Sequence, residues 1–188
     1  MRRGFSLATA AALVIGAMLV KTPPSAAQNV AVEYQVKAAF LYNFAKFVRW
    51  PDEAFSRPSD PFTICLEGDP FGGTLERTIG GETLNGRPLV VRRLSPSDSV
   101  RGCHMVYVAP SQSRRSAQII NSAGMSALLT VGEAEDFITR GGMIRFIESR
   151  QRIRFQINPD AAERASLRVS SRLLRLADIV RPRQRGGE

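Results

Sequence analysis

Residues 61–79 read PFTICLEGDPFGGTLERTI, and the order of the parts in this stretch decides the fold. Residues 61–67 are apolar and rich in strand formers. Gly68, Asp69, Pro70, Gly72 and Gly73 then interrupt the run with turn formers. Residues 74–79 resume as a short helix, with Thr74 expected to cap it. Strand, turn and helix in direct succession form the repeating unit of an α/β protein.

The same succession continues downstream. Residues 88–94 form a strand closed by Ser95, Pro96, Ser97 and Asp98. Residues 104–108, HMVYV, read as a buried strand, and a helix follows over residues 114–121 until Gly124 stops it. Residues 127–131 make a fourth strand, and a single helical turn then ends at Gly141-Gly142. The period changes at residues 143–147 and 153–157, which alternate around polar residues 148–151 as an antiparallel hairpin does. Arg145 and Arg154 are expected on its exposed face. Pro159 starts a further helix, and residues 170–177 start a last one, with Leu173, Leu174, Leu176 and Ile179 as an apolar stripe. The fold expected is an α/β, three-layer-like sandwich with a mostly parallel sheet and a C-terminal antiparallel hairpin at one edge.

Upstream, residues 37–51 read KAAFLYNFAKFVRWP. Helical spacing puts Phe40, Phe44 and Phe47 on one side and Leu41, Ala45 and Val48 on the next, leaving a narrow polar stripe around Asn43 and Lys46. Such a helix belongs in the core, and Pro51 should end it near Arg49. Arg2 and Arg3 precede an apolar run over residues 5–20, and Ser25-Ala26-Ala27 follows as a small-residue cleavage site. Residues 1–27 therefore read as a secretory signal peptide, residues 28–180 as one α/β domain, and residues 181–188 as a basic disordered tail. The formal charge of +9 falls to +6 when Arg2, Arg3 and Lys21 leave with the leader. An exported basic chain meets lipid headgroups, cell-wall polymer or acidic protein faces, so nucleic acid is not an expected partner.

The chain has few residues with which to build a catalytic centre. Its single histidine, His104, adjoins Cys103, but adjacent strand residues point to opposite faces and cannot form a nucleophile pair. No metal-ligand spacing such as CxxC or HExxH exists, so no metal or other cofactor is expected. The glycine-rich connector at residues 68–73 lacks the pattern of a phosphate loop. Glu133, Glu135 and Asp136 sit where a helix start attracts acids in any case. Export to an oxidising compartment favours a bridge between the two cysteines, Cys65 and Cys103, although spacing alone leaves two buried thiols open. By elimination the chain reads as a binding or regulatory module, not an enzyme.

Several segments carry a family resemblance. Residues 37–51, Gly102-Cys103-His104, Thr130-Val131-Gly132, Gly141-Gly142-Met143-Ile144, residues 154–158 and residues 173–177 resemble, in order, the signature segments of the YfiR family. The likeness covers residues 34–180. It implies a periplasmic α/β protein, often dimeric, whose best-known members repress an inner-membrane diguanylate cyclase by binding its periplasmic sensor domain. Release of the repressor lets cyclic-di-GMP rise and favours biofilm. Cys65 and Cys103 match a cysteine pair of the family, whereas a second pair found near the hairpin in some members is absent here. Arg145 stands where asparagine is common, Glu133 where aspartate is, and Pro159 where an apolar residue is.

On this reading the hairpin and the last two helices offer the partner-binding surface, with Arg145, Arg154, Glu163, Leu167 and Arg168 as its residues. A homodimer is compatible with it. The alternative is a periplasmic small-ligand or cell-wall-binding sensor without a cyclase partner, using Tyr42, Trp50 and Phe71 as its pocket lining. An enzyme would require a polar cluster around His104.

Overall fold

The structure, a computed structural model, describes residues 26–110, 113–124, 126–149 and 152–182. The strand–turn–helix unit at residues 61–79 is realised as β2 (Phe62–Glu67) and α2 (Thr74–Ile79), and the chain then returns to the sheet as β4 (Arg87–Leu94). β2 is buried along almost its whole length and pairs in parallel with β4 on one side and with β5 (Met105–Val108) on the other. β6 (Leu129–Gly132) and β7 (Ile144–Ser149) extend the parallel run, and β8 (Arg152–Ile157) turns back antiparallel to β7 as the hairpin. β10 (Asp178–Ile179) and β3 (Thr83–Leu84) close the edges of this eight-stranded, mostly parallel sheet, whose order is β10-β8-β7-β6-β5-β2-β4-β3. A separate antiparallel ladder joins β1 (Val48–Arg49) to β9 (Arg168–Val169).

Helices lie on both faces of the sheet. Along each strand alternate residues share a face, and the register aligns Leu66, Tyr107, Val131 and Ile144 on one of them. The helix α1 (Ala26–Phe47) covers that face: Phe40 and Phe44 meet Phe146 and Phe155 of the hairpin at ring-centroid distances of 5.0–6.0 Å. The opposite face carries Glu67, which reaches Arg115 of α3 (Ser113–Ala123), and α3 buries Ile119, Ile120 and Ala123 there. The sandwich therefore has three layers.

Some local expectations differ from what is found. The first helix begins earlier, at Ala26, and its N-terminal half is more open than a core helix, with Val30, Val32 and Val36 exposed. Thr74 is inside α2, not its cap: Gly73 takes the cap position at φ 79°, and the Thr74 hydroxyl instead accepts from Arg77 at 2.8 Å. Asn85 and Gly86, both at positive φ, turn β3 into β4, and the strand before them is too short for its alternation to register. The last stripe is split. Leu173 is the buried residue of α5 (Ser171–Leu174), whereas Leu176 is 67% exposed and Ile179, 40% exposed, belongs to β10. The helix α4 (Pro159–Arg164) begins as expected, with the Asn158 carboxamide accepting from Ala161 N–H at 3.1 Å ahead of Pro159.

The leader at residues 1–27 lies outside the described residues up to residue 25. The basic tail does so from residue 183. Arg181, where that tail was expected to begin, donates to Asp160 at 3.2 Å. No helix among the described residues is long and apolar enough to cross a membrane.

Candidate functional site

The cysteines of β2 and of the loop entering β5 form a disulfide, Cys65–Cys103, with Cα atoms 5.8 Å apart. Cys103 and His104 line an open cleft of about 1040 Å³ at the N-terminal ends of the parallel strands, together with Phe55, Arg57, Arg101 and Arg164. His104 is no base in waiting. Its Nδ1 accepts from Thr63 N–H at 3.0 Å, which leaves Nε2–H to donate to the Ala54 carbonyl at 3.1 Å. Its ring stacks between Phe55 and Phe62, at 4.4 and 5.1 Å. Burial holds the imidazole below its usual range, outweighing the hydrogen bond to Ala54 that would raise it. Both ring nitrogens are thus committed to backbone, and the neutral ring ties the 3-10 turn Asp52–Ala54 to β2.

Sequence reading passed over a second polar centre. Lys37, on α1, is 2% exposed and ion-pairs with Glu133 at 2.8 Å as well as with Glu33. Tyr107 of β5 donates its hydroxyl to the same Glu133, and the Lys37 ammonium lies 4.7 Å from the centre of the Tyr34 ring. Burial alone would lower the Lys37 pKa; the carboxylates of Glu133 and Glu33 more than reverse this, so the ammonium holds its proton above the usual range. Burial, reinforced by Glu133, pushes the Tyr107 phenol far up, so it stays a donor. Glu133 is therefore drawn from its acidic neighbours into a structural role, while Glu135 and Asp136 remain exposed.

At the carboxyl ends of β2 and β5 the connections leave to opposite faces, the place where an open α/β sheet commonly holds a ligand. Here Glu67 is 1% exposed and faces Arg115 at 3.5 Å. Burial raises the Glu67 carboxyl, and Arg115 opposes that shift. Arg115 also donates to the Asp98 carbonyl, which makes it a brace across the switch point. Among the described residues no group of His, Cys, Asp and Glu converges as a metal would need.

The residues expected to contact a partner fall into two patches. Arg145 and Arg154 share the outer face of the hairpin, as the pairs Arg145↔Gln156 and Ile147↔Arg154 require. Arg154 donates to Asp178 at 2.7 Å. Glu163 and Arg168 instead line a cleft of about 860 Å³ with Arg49, Trp50 and Val169. Leu167 joins them in that lining but is completely buried, its N–H donating to the Ala162 carbonyl of α4 at 2.9 Å, so it forms the floor of the patch and offers no exposed surface. The three aromatics expected to line a pocket do not meet. Trp50 donates its indole N–H to the His104 carbonyl at 3.1 Å and packs on Phe62; Tyr42 donates to Glu82; Phe71 is buried between Tyr34 and Tyr107.

Residues 34–178 match the profile of one protein family, DUF4154, described as YfiR/HmsC-like. The chain belongs to the YfiR/HmsC-like family. No curated protein matches the chain as a relative. The family is regulatory and non-catalytic, periplasmic in general, and known to act with a membrane partner. The fold gives physical reasons for YfiR-like segments of this chain. Gly132 and Gly142 flank the buried Phe137 ring: a Cβ on Gly132 would fall 2.5 Å from it, and one on Gly142 would also overlap it. Lys37 and Glu133 join α1 to the end of β6. Gly102, at φ 77°, turns the chain so that Cys103 meets Cys65.

Proposed function

We propose that this protein is a periplasmic repressor that binds the periplasmic sensor domain of an inner-membrane diguanylate cyclase, keeping cyclic-di-GMP and biofilm formation low. Membership of the YfiR/HmsC-like family over residues 34–178 carries this reading. The frame is consistent with it: the buried polar groups hold the fold, and the arginine-bearing hairpin face is left for contact. Binding can bias the cyclase only by the difference in affinity for its two conformations, so the repressor needs a rigid surface that fits one of them better. The disulfide and the sheet supply rigidity.

The test is intracellular cyclic-di-GMP in the parent strain, in a deletion of this gene, and in the deletion complemented with or without residues 1–27. Deletion should raise the level, and only the form with the leader should restore it. An unchanged level in cells that make the protein would overturn the repressor reading and move attention to ligand binding in the cleft beside Trp50.

A further inference from the structure

The edge of the sheet at β8 is only partly covered. β10 pairs with β8 at Gln156 and Ile157 alone. The Val180 N–H donates to the Ile157 carbonyl at 2.9 Å, which shows that Ile157 aims its backbone groups away from β7. Backbone groups alternate along a strand, so Ile153 presents both its N–H and its C=O to the same outer edge. No strand among the described residues pairs with residues 152–155 from that side. An unpaired stretch of strand is a template for another.

Its flanks select what can be added. Arg152 and Arg154 alternate with Ile153, so both stand on the outer face of the hairpin, and both are exposed. Arg154 has Asp178 as a partner; Arg152 has no ion-pair partner among the described residues. Leu176 and Ile179 add exposed apolar surface near the same edge. A second copy pairing β8 on β8 would set these arginines against their own counterparts, an unfavourable opposition of like charges. An extended acidic segment would gain backbone hydrogen bonds from Ile153 and charge pairing from Arg152, with Arg154 shared between it and Asp178.

We propose that residues 152–155 of β8 form a strand-addition site for an extended acidic segment of the regulated partner's periplasmic domain. This rests on the repressor reading above and names the place and manner of contact. The protein binds the full-length cyclase released in the deletion strain, reconstituted in nanodiscs, and hydrogen exchange is followed in the free and bound states. Two variants separate charge from backbone. Arg152→Glu with Arg154→Glu reverses the flanks, and Ile153→Pro deletes an outward N–H without removing a rung of the β7 ladder. Each should weaken binding about tenfold or more with the circular dichroism of the free protein unchanged. The Ile153 amide should exchange more slowly in the complex. Wild-type affinity in both variants, or unchanged exchange at residues 152–155 in a complex that does form, would overturn the site. Failure of the wild-type protein to bind the cyclase at all would instead bring down the repressor reading, and this site with it.

Discussion

Lys37 shows how one residue can organise the contact between a helix and a sheet. A buried ammonium is costly unless its charge is matched, and here Glu133 and Glu33 match it while Tyr107 fills a further acceptor site on Glu133. Removing the ammonium strands both carboxylates, whereas removing Glu133 leaves Lys37 its pair with Glu33. Lys37→Met should therefore destabilise the fold by about 3 kcal/mol, and Glu133→Gln by less, about 2 kcal/mol, because Glu33 still pairs with the ammonium. The double variant should recover to within about 1 kcal/mol of the parent, since the one charge left without its lysine, Glu33, is partly open to water and the introduced carboxamide oxygen still accepts from Tyr107. Urea unfolding of the four proteins reads this directly, and additive losses would show that the two residues do not act as a pair. The lysine was illegible in the sequence for a simple reason. A lysine within an aromatic helix reads as its solvated stripe, and the carboxylate that draws it inward lies far along the chain, at the end of a different strand.

Among the elements, those with a strong period could be read and those without one could not. The apolar run of β2, the helix-forming segment of α3 and the alternation of β7 and β8 each declare themselves locally, and each lies within a residue or two of its expected place. β1, β3, β9 and β10 are two residues long and exist only because tertiary structure presents them with a partner. β3 is the exception that could have been found, since Asn85-Gly86 before a strand is a hairpin turn signal. The candidate surface was half legible: strand alternation placed Arg145 and Arg154 together, but Leu167 resembled an exposed helix residue until the β9 turn folded it inward. The disulfide links two such readable elements, tying β2 to the entry of β5 across 38 residues. Cys65→Ala with Cys103→Ala should cost about 4 kcal/mol in guanidinium unfolding, mostly by freeing the unfolded chain. A loss below about 1 kcal/mol would mean that packing of the parallel strands already fixes this junction.

At the scale of the molecule, the layers are joined by residues that serve more than one of them. Phe40 and Phe44 seat α1 on the hairpin, Lys37 seats it on β6, and the Phe47 carbonyl accepts from Ser170 N–H at 2.9 Å, continuing the ladder between β1 and β9. The N-terminal helix thus touches both the hairpin and the last strands, and freeing it would open the core on that face. Trp50 sits just after this helix, with its indole on the His104 carbonyl, and so reports the junction between the N-terminal layer and the sheet. The chain from Gln28 onward is expected to unfold as one cooperative unit, with the Trp50 fluorescence transition coinciding with loss of far-ultraviolet circular dichroism in urea. An earlier fluorescence transition would mean that α1 and β1 leave before the sheet. The rigid platform assumed for partner binding would then be the sheet alone, and the proposed repression would have to draw on the hairpin without support from the helix that packs beneath it.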